Sequence, residues 1–138
     1  MKRIIKTENA PAPIGPYSQA VMTGNMLYTS GQIAIDPKTG ELVQGSIEEE
    51  TEQVMENLKA LLEAAGMGFD EVIKTTIFIS DMHQFSRINA VYGRYFNEDT
   101  APARETVQVA ALPKFVNVEI SVIAVKGGAL ETGTQGIH

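Results

Sequence analysis

The chain has 138 residues, enough for one domain with a core of its own. Its 11 Lys and Arg against 17 Asp and Glu leave a net charge of −6, which disfavours nucleic acid and acidic membranes, both bound largely through a basic face. The absence of Cys excludes disulfides, thiolate nucleophiles and iron–sulfur clusters and fits a reducing cytosol, while two His, one of them terminal, exclude a three-His metal site within one chain.

No run of about 18 apolar residues is present to span a membrane. The basic start, Met1-Lys2-Arg3-Ile4-Ile5-Lys6, lacks the apolar centre of a signal peptide. Residues 8–19, Glu-Asn-Ala-Pro-Ala-Pro-Ile-Gly-Pro-Tyr-Ser-Gln, hold three prolines and a glycine and are expected to form an ordered, extended loop. Three short strands are expected next, at Ala20–Thr23, Met26–Ser30 and Ile33–Ile35. Thr23-Gly24-Asn25 makes the first turn and Asp36-Pro37-Lys38-Thr39-Gly40 a later one.

Ser46 and Glu49 have the spacing of a capping box that opens a helix. Val54, Met55, Leu58, Leu61, Leu62 and Ala65 form its apolar stripe, and Gly66 stops it. The acidic run Glu48-Glu49-Glu50 suits the positive helix end and reads as a solvated face. The β-branched segment Val72–Ser80 is expected to be a strand covered on both faces. Asp81 is expected to cap a second helix, with Gln84 at its third position and Phe85, Ile88, Tyr92, Tyr95 and Phe96 buried. Pro102 prevents its continuation.

Residues 104–111 and 117–126 both alternate. Arg104 and Thr106 share one face and Glu105 and Val107 the other; Val118, Ile120, Val122 and Ala124 oppose Glu119, Ser121, Ile123 and Val125. With Leu112-Pro113-Lys114 as a turn, the two segments are expected to form a hairpin. The order β-β-β-α-β-α-β-β then implies an α+β fold, a mostly antiparallel sheet with two helices on one face. Ile123 and Val125 on the half-polar side suggest that another subunit covers the second face. Residues 127–138 have no period and are expected to fray.

Ser80, Asp81 and His83 are triad residue types but adjacent in sequence, and Asp81 is already assigned to a cap. Arg104 and Glu119 resist so plain a reading, because a charge within a sheet is costly unless paired. They are either an ion pair or solvent-facing charges, or else an anion-binding Arg with a carboxylate that handles water or a proton. In the expected hairpin Arg104 faces residue 123 or 124 and Glu119 faces 108 or 109. That spacing separates them by roughly 15 Å, so they would meet only across a subunit interface. Ser30-Gly31 offers free backbone N–H groups beside a hydroxyl, and Gly15-Pro16 holds Tyr17 in a position to close a pocket.

Together these residues resemble the RidA/YjgF family of reactive-intermediate imine/enamine deaminases, over about residues 2–126. The resemblance is carried by Ala10 through Gln19, by Ser30-Gly31-Gln32, by Ile88-Asn89-Ala90-Val91-Tyr92 with Phe96, and by Ala101-Pro102-Ala103-Arg104 through Leu112-Pro113 to Val118-Glu119-Ile120. It implies a chorismate-mutase-like α+β fold and a cytoplasmic homotrimer with clefts between subunits. The implied reaction is hydrolysis of 2-iminobutanoate, 2-iminopropanoate and enamines such as 2-aminoacrylate to 2-keto acids and ammonia, without metal or organic cofactor. By the same resemblance Arg104 grips the substrate carboxylate and Glu119 holds the attacking water. Tyr17, Ser30, Gly31, Asn89 and Thr106 join the substrate-binding set. Two positions depart from the pattern: Thr106 stands where many members have Cys, and Glu105 where a small residue is usual. The family also holds proteins described as ribonucleases, translation inhibitors and regulators. A metabolite-binding trimer without catalysis and an RNA-cleaving enzyme therefore remain the alternatives.

Overall fold

In a computed structural model the described residues are 1–127, so the expected frayed tail lies outside them except for Gly127. The elements in chain order are β1 (Lys2–Ile5), β2 (Ala20–Thr23), β3 (Met26–Thr29), α1 (Ile47–Ala64), β4 (Val72–Ile79), α2 (Phe85–Tyr92), β5 (Ala103–Gln108) and β6 (Val118–Val125). The six strands form one sheet in the order β1-β2-β3-β6-β4-β5, antiparallel except for the parallel β4–β5 pair. Both helices lie on one face, which is the expected α+β architecture.

Local chemistry explains the helix and turn boundaries. Ser46 Oγ accepts from the Glu49 N–H at 3.1 Å, so a free donor of the first turn of α1 is satisfied. Gly66 takes φ +73° just past the helix, where a Cβ would be strained. Gly24 at φ +57° makes the β2–β3 hairpin with Asn25. The apolar stripe of α1 (Val54, Met55, Leu58 and Leu62) is fully buried against Leu27, Ile77, Ile79 and Ile120 of the sheet. Each such side chain contributes about 1.5–3 kcal/mol by leaving water.

Four expectations need correction. Residues 104–111 and 117–126 form no hairpin: β4 lies between β5 and β6. The α2 crossover lays β5 parallel to β4, and the long connection through Pro113 lets β6 enter between β4 and β3. Ile33–Ile35 forms only isolated bridges, Gln32 to Ile120 and Ile35 to Leu42. Asn57 of α1 donates from Nδ2 to the carbonyls of Ile33 and Ile35, at 3.1 and 3.0 Å, and so takes acceptors that a strand ladder would use. The third N-terminal strand is instead Lys2–Ile5. Asp81 caps a 3-10 turn, Met82–Gln84, accepting from the His83 N–H, and α2 begins only at Phe85.

The acidic run also divides. Glu48 is clipped by Arg87 of α2 through two hydrogen bonds of 2.8 and 2.7 Å, which hold its carboxyl down at about 2. Glu50, read as solvated, is buried. Its two oxygens accept from the backbone N–H and the side-chain amide of Asn117, both at 2.8 Å. Asn117 in turn accepts from Ser80. This network fixes the entry to β6 two residues before Glu119.

Candidate functional site

The sheet register decides where the two candidate charges lie. Arg104 pairs with Thr75 on β4 and Glu119 with Phe78, three residues further along. Three residues along a strand change the face, so Arg104 is on the helix face and Glu119 on the open face. They are separated by about 10 Å along the strands and two strand spacings of about 4.8 Å. The expectation that they do not touch within one chain holds, although the expected hairpin is not the reason. No direct Arg104–Glu119 ion pair forms among the described residues.

On the helix face, Arg104 donates from Nη1 to Oδ1 of Asn89, one turn into α2. Its guanidinium carbon lies 5.4 Å from the Phe85 ring centroid and 5.1 Å from that of Tyr92, within cation–π range. Tyr92 is itself held by Thr75, hydroxyl to hydroxyl at 2.8 Å, and burial pushes its phenol upward. Three side chains of one helix thus orient the guanidinium while Arg104 remains exposed. Thr106 follows on the same face, paired with Ile77, and its Oγ1 is buried with no hydrogen-bond partner among the described residues. Glu105 points to the open face and pairs with Lys74 at 2.8 Å, so the unusual charge beside Arg104 is neutralised there.

On the open face, Glu119 is half-buried, and desolvation pushes its carboxyl above the ordinary glutamate range. Among the described residues no group hydrogen-bonds this carboxylate. It borders a small cleft with about 70 Å3 of free space, lined also by Tyr17, Gly31, Ile14, Ile33 and Pro113. Gly31 lets the carboxylate lie where it does: a Cβ there would come within 2.7 Å of the Glu119 carboxyl carbon and push that side chain aside. Ser30 is close in sequence but its Oγ is occupied, donating to the Ser18 carbonyl at 2.6 Å. Tyr17 is exposed at the mouth, with its hydroxyl accepting from the Ile14 N–H at 3.3 Å. The structure therefore brings Tyr17, Gly31 and Glu119 to one cleft, leaves Ser30 beside it with its hydroxyl turned to Ser18, and separately gathers Asn89, Arg104 and Thr106.

Gln19 organises the first group. Its buried side chain accepts from the Thr7 N–H and donates to the carbonyls of Thr7, Ala10 and Pro11, so one residue fixes the proline-rich loop that carries Tyr17. A larger open groove of about 740 Å3 lies along the same loop, bordered by Lys6, Glu8 and Tyr17, but neither Arg104 nor Glu119 reaches it. Among the described residues no group of three or more His, Asp or Glu side chains is arranged to hold a metal ion. No helix among the described residues is long and apolar enough to cross a membrane.

The family model described as Endoribonuclease L-PSP matches residues 7–126, nearly the whole described chain. A RutC family protein of Pyrococcus horikoshii is 56% identical over 126 residues, covering 91% of this chain and 99% of the relative. The chain belongs to the RidA/YjgF family. Another relative, 49% identical over 128 residues and covering 91% of this chain and 99% of its own, is the Escherichia coli protein named 2-iminobutanoate/2-iminopropanoate deaminase. A solved chain from Thermotoga maritima superposes with a TM-score of 0.88 at 60% identity, covering 91% of this chain and 98% of that one. Both residue groups of this RidA/YjgF chain, around Arg104 and around Glu119, lie within the matched region.

Proposed function

We infer that the chain is an imine/enamine deaminase of small 2-imino acids, working as a homotrimer in which each site joins Arg104 of one copy to Glu119 of another. The observation that carries this reading is the pair of half-built sites. Arg104 is oriented by Asn89, Phe85 and Tyr92, Glu119 lies desolvated in a cleft, and among the described residues no carboxylate pairs with the first and no cation with the second. A substrate with one carboxylate and one electrophilic carbon fits between them. The exposed apolar residues of the open sheet face, Ile4, Tyr28 and Val107, support an assembly that covers them. The name of the Escherichia coli relative supports the reaction class.

In this reading the guanidinium fork holds both carboxylate oxygens in one plane, and Asn89 stops it from swivelling. The enamine tautomerises to its imine by moving one proton from nitrogen to carbon. Water held by Glu119 adds to the C=N carbon: a C–O bond forms, the C=N π pair goes to nitrogen, and a water proton passes through the carboxylate to that nitrogen. The carbinolamine then expels ammonia as its hydroxyl becomes the keto group. A raised Glu119 carboxyl is suited to such a shuttle, because desolvation makes its carboxylate a stronger proton acceptor than an ordinary glutamate. Most of the acceleration comes from holding water and imine in register.

Ammonia release from 2-aminoacrylate generated in situ tests the reading. The expected result is hydrolysis well above the uncatalysed rate with wild-type protein; hydrolysis at the uncatalysed rate would refute it. Cleavage of RNA is disfavoured by the net charge of −6 and by His83, whose side chain is 97% exposed and hydrogen-bonded to Asp81.

A further inference from the structure

We propose that Glu50 is a positioning residue for Glu119, acting through the backbone that enters β6; the proposal rests on the reading of Glu119 as the group that holds water. Glu50 lies in the first turn of α1, is 1% exposed and takes no part in the proposed chemistry. A carboxyl group out of water is costly unless its oxygens are bonded, and among the described residues no cation pairs with this one. Both oxygens go instead to a single residue, Asn117, two positions before Glu119.

Asn117 is bonded at every polar atom. Its N–H donates to Glu50 Oε2 and its Nδ2 to Oε1, both at 2.8 Å. Its carbonyl accepts from the Ser80 N–H at 3.0 Å, and its Oδ1 from Ser80 Oγ at 3.3 Å. The first ladder pair of β6 is Val118 with Ile79, so the Asn117 N–H falls outside the sheet and Glu50 supplies its acceptor. The tie runs to a firm support, because Val54, Met55 and Leu58 of α1 are fully buried in the core. On the other side of Glu119, Ile120 exchanges two backbone hydrogen bonds with Gln32, at 2.8 and 3.1 Å. Glu119 is thus held between two fixed points. Its own carboxyl has no hydrogen-bond partner among the described residues, and desolvation alone shifts it. The aim of that carboxyl therefore follows its backbone, and Glu50 fixes one of the two backbone anchors. A misplacement of about 1 Å between water and imine is enough to lower a rate about 100-fold.

The experiment compares full-length wild type with Glu50→Met, which keeps the volume and removes both acceptors, and with Glu50→Gln. Kinetics are measured on 2-imino acids generated in situ. The Glu119 carboxyl carbon is followed through a pH titration by 13C NMR of glutamate-labelled protein, its signal assigned by its loss in Glu119→Gln. In Glu50→Met, kcat should fall at least about tenfold while KM stays within about twofold, because Arg104 is untouched. The Glu119 signal should titrate lower, nearer an ordinary glutamate, as the loosened strand lets water reach it. Glu50→Gln should restore kcat to within about threefold and leave the Glu119 signal in place. Its amide oxygen still accepts from the Asn117 N–H. With the Asn117 amide turned over, Gln Nε2 donates to Oδ1 and Ser80 Oγ accepts from Nδ2. If Glu50→Met does not fold, Asn117→Ala, which breaks the side-chain half of the tie, is read in the same way and should move both readouts in the same directions. A folded variant with a lower melting temperature but wild-type kcat and an unmoved Glu119 signal overturns the proposal, since Glu50 would then serve the fold alone. A rise in KM at constant kcat overturns it as well. An inactive wild type, with the Glu119 signal moved by Glu50→Met and not by Glu50→Gln, would leave the positioning role standing and remove the deaminase reading alone.

Discussion

The two faces of this sheet are made by the same strands and have opposite fates. In β6, Val118, Ile120, Val122 and Ala124 are buried under the helices, while Glu119, Ser121, Ile123 and Val125 alternate with them on the side that carries no helix. The helix face is complete within one chain: its ridge of aliphatic side chains is matched by α1. The open face carries a desolvated carboxylate and exposed apolar side chains, and among the described residues only the small cluster of Ile33, Leu112 and Val116 packs there, against Phe78, with no cation paired to the carboxylate. Stability is therefore written mainly on one face, and the proposed function divides between an edge of that face and the centre of the other.

The sharpest way to break this comparison is on the closed face. Leu58→Ala removes a fully buried side chain from the α1 stripe and should lower unfolding free energy by about 3–5 kcal/mol in denaturant titration. A loss below 1 kcal/mol would mean that the helix face is not the stability-bearing one.

Arg104→Lys tests the division of function. It should leave fold and oligomer size unchanged and lower kcat/KM on 2-imino acids at least ~100-fold, about 2.7 kcal/mol in the barrier, because a single-point cation cannot hold the carboxylate plane. If Arg104 were a structural residue, the melting temperature and assembly would fall while the folded fraction kept its activity.

Thr106→Ser should change kcat/KM by less than about tenfold, or 1.4 kcal/mol, since it keeps the hydroxyl whose Oγ1 lacks a partner. Complete loss of activity would show that the methyl group sets the local geometry.

The smallest effect concerns Glu119 and pH. Desolvation raises its folded carboxyl above the unfolded value of about 4.3, so the folded state holds the proton more tightly. Its contribution is favourable below that value and is lost as pH rises through the folded one. Glu119→Gln should therefore raise the melting temperature relative to wild type at pH 7 and by less at pH 4. An equal shift at both pH values would contradict the desolvation.

Much of this was legible in the residues. The helices, the two long strands and the unusual status of Arg104 and Glu119 follow from periodicity and from the cost of charge in a sheet. Alternation fixes which face a residue occupies but not which strand lies beside it, and for that reason β5 and β6 looked like neighbours when β4 separates them. Ile33–Ile35 has a strand-like composition, but its carbonyls are taken by Asn57, a contact between residues more than 20 positions apart. Glu50 was hidden for a similar reason. In the sequence it is one of three glutamates, and only the arrival of Asn117 makes its burial affordable. Gln19 carried no signal beyond its place in the loop motif, since its partners are backbone N–H and carbonyl groups that any sequence would supply.

The central place of β6 has a further consequence for how the chain is made. The last of the described strands to be synthesised is the one that joins β3 to β4, and Thr29 bonds Val122 across 93 positions. Until that strand leaves the ribosome, β1–β3 and β4–β5 are two unfinished half-sheets with bare edges, each open to strand addition by another nascent chain. Closure must wait for translation to pass residue 125 and then span nearly the whole chain, a long-range step that is slow relative to local helix formation.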